Sequence, residues 1–398
     1  MSIHVLWRGL PAAAVLVACR AAAAATGEPG APPGVSPEEL RRLEESLAPP
    51  APAPASMPAG GLANPDLAVV LDVAGAAFTD DSLPVGAHDP AGNGFTFQQL
   101  ELTLGAAADP FFRVDASLVF VPEGVEVEEA YATSLALPAD LQVRAGQFLT
   151  RFGRQNPTHP HTWQFVDTPL VLGKFFGSEG QSGVGVEASW LAPLPWFVEL
   201  VASANGSPAG VHAHAGEEPE EEEPHGIEDP GDLLYTAALK QFVPVGQDFG
   251  LLVGVSSQSG PGHDGRTAIH GVDLLLRYRP VASVDRAAVS LQVEALHRTR
   301  EHDGRSLEDA GGYAQLAWSI DPTWETAVRY EYVSGLAADR DWPAGRRRAA
   351  AQLTFHPSHF TRLRLQVNRD DPTYRGSPID SAFLQLELTA GAHRAHPY

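Results

Sequence analysis

Two closely spaced histidines are the first candidates for metal chemistry in this sequence. His159 and His161 flank a single proline in the segment HPH, and Asp167 follows in the same stretch. An extended backbone around the proline would direct both rings to one side, and zinc favours imidazole and carboxylate ligands. The pattern predicts either a zinc site or two histidines that only pack a loop.

Other histidines are grouped as well. The segment HAHAGEEPEEEEPHG predicts either a weak, non-specific metal-concentrating loop or a solvated acidic tip, and its candidate ligands are His212, His214 and His225. A further group near the predicted strand ends comprises His356, His359, His393 and His396. Zinc is the only cofactor that these residues indicate, and the alternative is that the protein has none.

Basic residues cluster around the same part of the chain. Arg144, Arg151, Arg154 and Lys174 are predicted to form a positive patch that attracts anions. Asp167, Glu179 and Glu187 lie among them, and the alternative is a charge-balanced constriction with weak selectivity.

Motifs of enzymes are absent from the sequence. It contains no G-x-S-x-G elbow, no H-E-x-x-H and no phosphate-binding glycine loop. The single cysteine, Cys19, lies near the N-terminus, which excludes a disulfide scaffold. The formal net charge of -22 excludes nucleic acid as a partner. Because these enzyme motifs are absent, the sequence predicts that the protein is not an enzyme.

The elements that would position these residues are β-strands. In FTRLRLQVNRD, residues 360–370, apolar and polar side chains alternate with the two-residue period of a strand. About sixteen such segments of about ten residues follow Leu67, and about ten residues are what a tilted membrane strand needs. Short turns and long loops alternate between them, with long loops predicted at 79–94, 149–181, 205–231, 259–269, 298–310, 334–345 and 369–378.

This pattern predicts an all-β fold, a transmembrane antiparallel up-and-down barrel in the outer membrane, with lipid as its outer partner. A soluble all-β protein with paired sheets is the alternative. A barrel of this size encloses an aqueous channel, which predicts passive passage of small hydrophilic solutes or ions past loop 150–182 as the constriction. The alternative is a zinc-binding outer-membrane barrel or receptor that uses its His/Glu-rich external loops. Besides the charged residues above, the predicted pore-lining residues on the strands are Glu101, Arg329, Arg362 and Arg364.

The first residues predict export from the cytoplasm. Residues 1–25 have the basic, apolar and alanine-rich parts of a secretory signal, and LVAC offers lipidation of Cys19 as an alternative. Residues 26–66 are predicted to be a Pro/Ala-rich spacer with a short helix at 36–47, and the barrel is predicted to occupy 67–398.

Several segments resemble one group of bacterial outer-membrane barrels. They are LQVRAGQFLTRFGRQNPTHPHTWQFVDTPLVLGKFFGSEG, GVGVEASWLAPLPWFVEL, EEAYATSLALP and the ending GAHRAHPY. The resemblance is to proteins labelled zinc-regulated outer-membrane proteins, related to the phosphate-selective porin superfamily. It implies a sixteen-stranded porin-type barrel that assembles as a homotrimer.

Overall fold

Sixteen antiparallel strands close into one barrel, in which each strand pairs with the next and β1 pairs with β16. The computed structural model describes residues 65–122, 124–206, 227, 229–262, 265–280, 288–302, 304–337 and 339–391. This architecture confirms the predicted all-β barrel. The predicted signal, the helix at 36–47 and nearly all of the spacer lie outside the described residues, as do Cys19, His212, His214, His225, His393 and His396.

Each alternating segment of the sequence corresponds to one strand. They are β1 Asp66–Phe78, β2 Gly94–Ala107, β3 Phe112–Val121, β4 Gly124–Ser134, β5 Leu141–Leu149, β6 Ser182–Leu191, β7 Phe197–Gly206, β8 Leu233–Val245, β9 Phe249–Pro261, β10 Arg266–Tyr278, β11 Ala288–His302, β12 Arg305–Ser319, β13 Trp324–Val333, β14 Arg346–Ser358, β15 Thr361–Pro372 and β16 Ile379–Gly391. The helical elements are α1, Leu170–Phe176, and two single 3₁₀ turns at Pro160–Thr162 and Pro230–Asp232. None of the helices among the described residues is long and apolar enough to cross a membrane.

The two faces of the strands differ as the alternation predicts, and β15 shows it most clearly. Arg364 and Gln366 point into the barrel and are 1% and 0% exposed, whereas Leu365 and Val367 point outward and are each 50% exposed. The outer surface of the barrel is therefore apolar and suited to lipid, and the lumen is polar.

An arginine placed on the outer face of β15 is expected to destabilise the barrel. Leu365→Arg near the middle of the strand should lower the free energy of unfolding by about 2–4 kcal/mol, since the charge would lie in hydrocarbon. Ser358→Arg, at the exposed end of β14, is the control and should cost about 0–1 kcal/mol. Urea unfolding in lipid vesicles measures both, and equal costs would contradict the lipid-facing orientation.

Two predicted long loops are wrong. Residues 259–269 form a tight connection, because β9 and β10 pair as far as Pro261 and Arg266. Residues 298–310 are likewise mostly strand, with His302 opposite Arg305. Polar residues follow one another in both segments, and polarity alone does not distinguish a loop from a strand that continues beyond the membrane into water. The connection between β3 and β4 is short, since Val121 pairs with Gly124.

The longest described connection, residues 150–181 between β5 and β6, folds into the lumen; we call it the inserted loop. It contains α1, and its apolar side chains form a core inside the barrel with inward-facing residues of the wall. This core comprises Phe152, Leu170, Val171, Leu172, Phe175, Phe176, Leu234, Ile269, Leu296, Tyr313, Val333 and Trp342. Gly271 on β10 permits this packing, since a Cβ there would lie 2.7 Å from the ring of Phe152.

Candidate functional site

Asp167 anchors the inserted loop to the wall formed by β13, β14 and β15. Its carboxylate accepts hydrogen bonds from Arg329 at 2.6 Å and from Arg348 at 2.7 Å. The side-chain amides of Gln366 and Asn368 donate to the same carboxylate, at 2.6 and 2.9 Å. Burial alone would raise the pKa of Asp167, but the two guanidinium groups outweigh it and hold this pKa below its usual value. The prediction that Asp167 completes a zinc site with the histidines is therefore wrong: it lies among arginines.

Helix α1 is held against the next part of the wall by buried charges. The amide nitrogen of Leu170 donates to Glu331 at 2.6 Å. Lys174 forms an ion pair with Asp309 at 2.9 Å, and Arg298 pairs with the same carboxylate at 2.6 Å. All three of these charged side chains are fully buried. The prediction that Lys174 faces a water-filled passage is therefore wrong.

The basic residues at the start of the inserted loop do not form the predicted positive patch. Arg144 and Arg151 both pair with Glu187, at 2.9 and 2.7 Å, and Arg151 also reaches Glu199. Arg154 turns toward β11, where its side chain donates to Gln292 at 3.3 Å. These charges are partnered locally, which favours the charge-balanced alternative for this side of the lumen.

The arginines of β15 bind the middle of the inserted loop. Arg362 and Arg364 both donate to the carbonyl oxygen of Trp163, at 3.3 and 2.9 Å. Both also contact the carboxylate of Glu387 on β16. Arg362 and Arg364 thus fasten the inserted loop to β15.

The first loop, residues 79–93, covers the inserted loop from the side of β1 and β2. Asp89 accepts hydrogen bonds from the amide and the hydroxyl of Thr168, at 2.8 and 2.9 Å. His88 lies 3.7 Å from Glu179. Burial opposes the charged imidazole, but the nearby carboxylate of Glu179 raises the pKa of His88 to about 9. His88 is therefore a cation at neutral pH.

His159 and His161, both in the inserted loop, stack on each other with ring centroids 5.7 Å apart. Both contact Glu101 on β2, with Nδ1 distances of 3.3 Å for His159 and 2.6 Å for His161. His159 also contacts Glu128 at 2.8 Å and Glu129 at 3.0 Å. We call these five side chains the histidine–glutamate cluster. The structure thus brings together the two histidines and Glu101, three of the residues singled out from the sequence.

Glu128 and Glu129 were missed as site residues because strict alternation would send one of two neighbours to the lipid face. A β-bulge in β4 removes that constraint: Ser117 of β3 pairs with Glu129, Leu118 pairs with Val127, and Glu128 is the extra residue. Both carboxylates reach His159 as a result. The EE pair itself was the only signal in the sequence.

A cavity lined mostly by polar residues, called the polar cavity, lies between part of the inserted loop and β1, β2 and β16. Its volume is about 40 Å³, which is enough for a few water molecules. Its charged lining residues in the described part of the chain are Asp72, His88, Asp89, Glu128 and Glu179. Carboxylates therefore outnumber cations along this gap. Of the other histidines, His356 lies near the end of β14 and His359 follows that strand.

Comparison with known sequences identifies one informative relative. No family model matches the chain. An uncharacterized protein of Aquifex aeolicus (strain VF5) is 31% identical over 345 residues, which covers 77% of this chain and 70% of that protein.

Solved structures match the barrel at low sequence identity. The outer-membrane channel DcaP of Acinetobacter baumannii has a TM-score of 0.55 and 12% identity, over 83% of this chain and 100% of that one. OprB of Pseudomonas putida has a TM-score of 0.55 and 10% identity, over 82% and 94%. The trimer form of OmpT from Vibrio cholerae has a TM-score of 0.52 and 10% identity, over 82% and 99%. The chain therefore belongs to the family of the Aquifex aeolicus protein and has the fold of outer-membrane porins and channels.

Proposed function

We propose that the protein is a passive channel of the Gram-negative outer membrane for ions and small hydrophilic solutes. The observation that carries this proposal is the division of the closed barrel into an apolar exterior and a polar, charged lumen. The fold shared with an outer-membrane channel supports it. A barrel of sixteen strands is wide enough for an aqueous passage unless something fills it.

The inserted loop is the proposed constriction. Its ion pairs and apolar core hold it against β8 and β10 to β15, and His159 and His161 hold it to β2 and β4. A small cavity remains beside it along β1, β2 and β16. A gap with room for a few waters favours ions and the smallest solutes. Liposome swelling with neutral solutes of increasing size tests this. Swelling is expected only with the smallest solutes, and equal swelling with disaccharides would contradict it.

The passage is proposed to prefer cations. The arginines near the inserted loop are engaged with carboxylates or carbonyl oxygens, whereas the gap itself has an excess of carboxylates. Fixed negative charge at a narrow point raises the local concentration of cations and repels anions.

Reversing the charge of Glu179 is expected to weaken cation preference. Glu179 lines the gap and its side chain is 48% exposed, so Glu179→Lys should fold. Two charge units near a hydrated ion change its free energy by about 1 kcal/mol, upward for a cation and downward for an anion. The cation-to-anion permeability ratio should therefore fall about thirty-fold. The reversal potential in a salt gradient measures this. Glu308→Lys, at an exposed outward position on β12, is the matched control and should leave the ratio unchanged.

Two finer expectations stay proposals. The homotrimer is supported by the trimer form of the structurally similar OmpT. Membership of the zinc-regulated group within the phosphate-selective porin superfamily rests on the sequence resemblance alone. Chemical cross-linking in native outer membranes tests the trimer, and a purely monomeric product would contradict it.

A further inference from the structure

We propose that Glu101, Glu128 and His159 bind a divalent transition-metal ion of the zinc type inside the barrel wall. This inference is independent of whether the lumen conducts. It differs from the site predicted from sequence, because two strand glutamates replace Asp167 and the external histidines. Three observations carry it: the spacing of the donor atoms, the contacts that orient them and the bulge that brings them together.

The donor atoms have the spacing of a metal site. One donor atom from each of the three residues lies within 4.8 Å of the others. Nδ1 of His159 is 3.3 Å from Glu101 and 2.8 Å from Glu128. Tetrahedral bonds of about 2.0–2.1 Å separate ligand atoms by about 3.3 Å. The Glu101 distance already fits, and Glu128 borders the polar cavity, so its carboxylate has room to move by about half an ångström.

The remaining members of the cluster hold the ligands in the required orientation. Nε2 of His159 faces Glu129 at 3.0 Å, which leaves Nδ1 directed at the two proposed glutamate ligands. A carboxylate on the second ring nitrogen is the usual support of a metal-bound histidine. Glu101 is fixed in the same manner, by Ser117 at 2.8 Å and His161 at 2.6 Å. Mere packing of the histidines does not require this arrangement.

The bulge at Glu128 is the third observation. It interrupts the ladder of β4 at the one point where two consecutive glutamates both contact His159. Three carboxylates then share a largely buried space with two imidazoles, which are the oxygen and nitrogen donors that suit zinc. The polar cavity beside Glu128 offers the ion and a water ligand a path to the site.

Calorimetric titration of the full-length protein in detergent with zinc chloride tests the proposal. We expect one site per chain, at least ten-fold weaker binding in Glu128→Gln, and weakening of about 10–100-fold in Glu129→Gln, which removes only the orienting carboxylate. Glu179→Gln, in the same gap, and deletion of residues 212–225 are the controls and should bind as the unchanged protein does. Magnesium chloride should show no comparable binding.

Unchanged binding in Glu128→Gln would overturn the site, as would binding that disappears only when 212–225 is deleted. A second measurement guards against variants that fail to fold. Cobalt(II) added to the unmodified barrel should give the strong visible absorption of a tetrahedral centre, displaced by equimolar zinc. A weak octahedral spectrum contradicts the proposal. Since neither readout requires current, loss of this site and failure of the channel proposal are separable.

Discussion

Replacing residues 151–180 with a short turn is expected to raise the single-channel conductance by about three- to ten-fold, toward that of an open sixteen-stranded barrel. The inserted loop crosses the lumen, and its removal would widen the passage. The barrel itself should still close, because β5 and β6 pair from Leu141 opposite Trp190 to Leu149 opposite Ser182 without help from the loop.

A deletion of residues 212–225 is the matched control for this experiment. That segment belongs to another connection, between β7 and β8, and its removal should leave the conductance within about two-fold. Retention of the compact electrophoretic form before heating verifies that each variant has folded. An unchanged conductance after removal of the inserted loop would mean that the loop does not limit the passage.

Asp167→Asn is expected to produce the largest loss of stability among single substitutions in the lumen. The change keeps the shape of the side chain but removes the carboxylate that pairs with both Arg329 and Arg348. Glu331 and Asp370 then remain as their carboxylate partners. Breaking a buried ion pair by removing one partner costs about 3–5 kcal/mol. Release of the loop should also add rapid fluctuations to the open-channel current.

The control for Asp167→Asn is Asp380→Asn, which removes an exposed ion pair. Asp380 pairs with Arg369 at 3.1 Å on the outer surface, where such pairs contribute about 0–1 kcal/mol.

The pKa of Asp167 is lowered in the folded protein, so its stabilisation is present at neutral pH and is lost as the pH falls through that lowered pKa. The difference between the unchanged protein and Asp167→Asn should therefore shrink below about pH 4. A loss no larger than that of Asp380→Asn would contradict the anchoring role.

The strands were predictable because lipid outside and polar groups inside impose a strict two-residue period. Arg364 and Leu365 illustrate it: adjacent in sequence, they lie on opposite faces of the wall. The predicted strand ends were wrong where the strands continue beyond the membrane, as at His302 and Arg305, because both faces of the strand are polar there. Hydrophobic alternation contains no information about such an end.

The contacts of the inserted loop were not predictable for a different reason. Asp167 lies in the same segment as His159 and His161, yet it binds arginines from strands more than a hundred residues later. These contacts depend on the register of the strands around the closed barrel, and this register cannot be derived from a single sequence. The bulge at Glu128 was not predictable either, because an extra residue in a strand does not change the composition of the segment in a recognisable way.

Single-channel recording in planar bilayers tests most directly whether the lumen conducts beside the inserted loop. The structure predicts small, discrete current steps from the purified protein, with a reversal potential in a potassium chloride gradient that corresponds to cation preference. A folded protein that inserts into the bilayer and yields no steps under any voltage would contradict the account, since the inserted loop would then close the barrel completely.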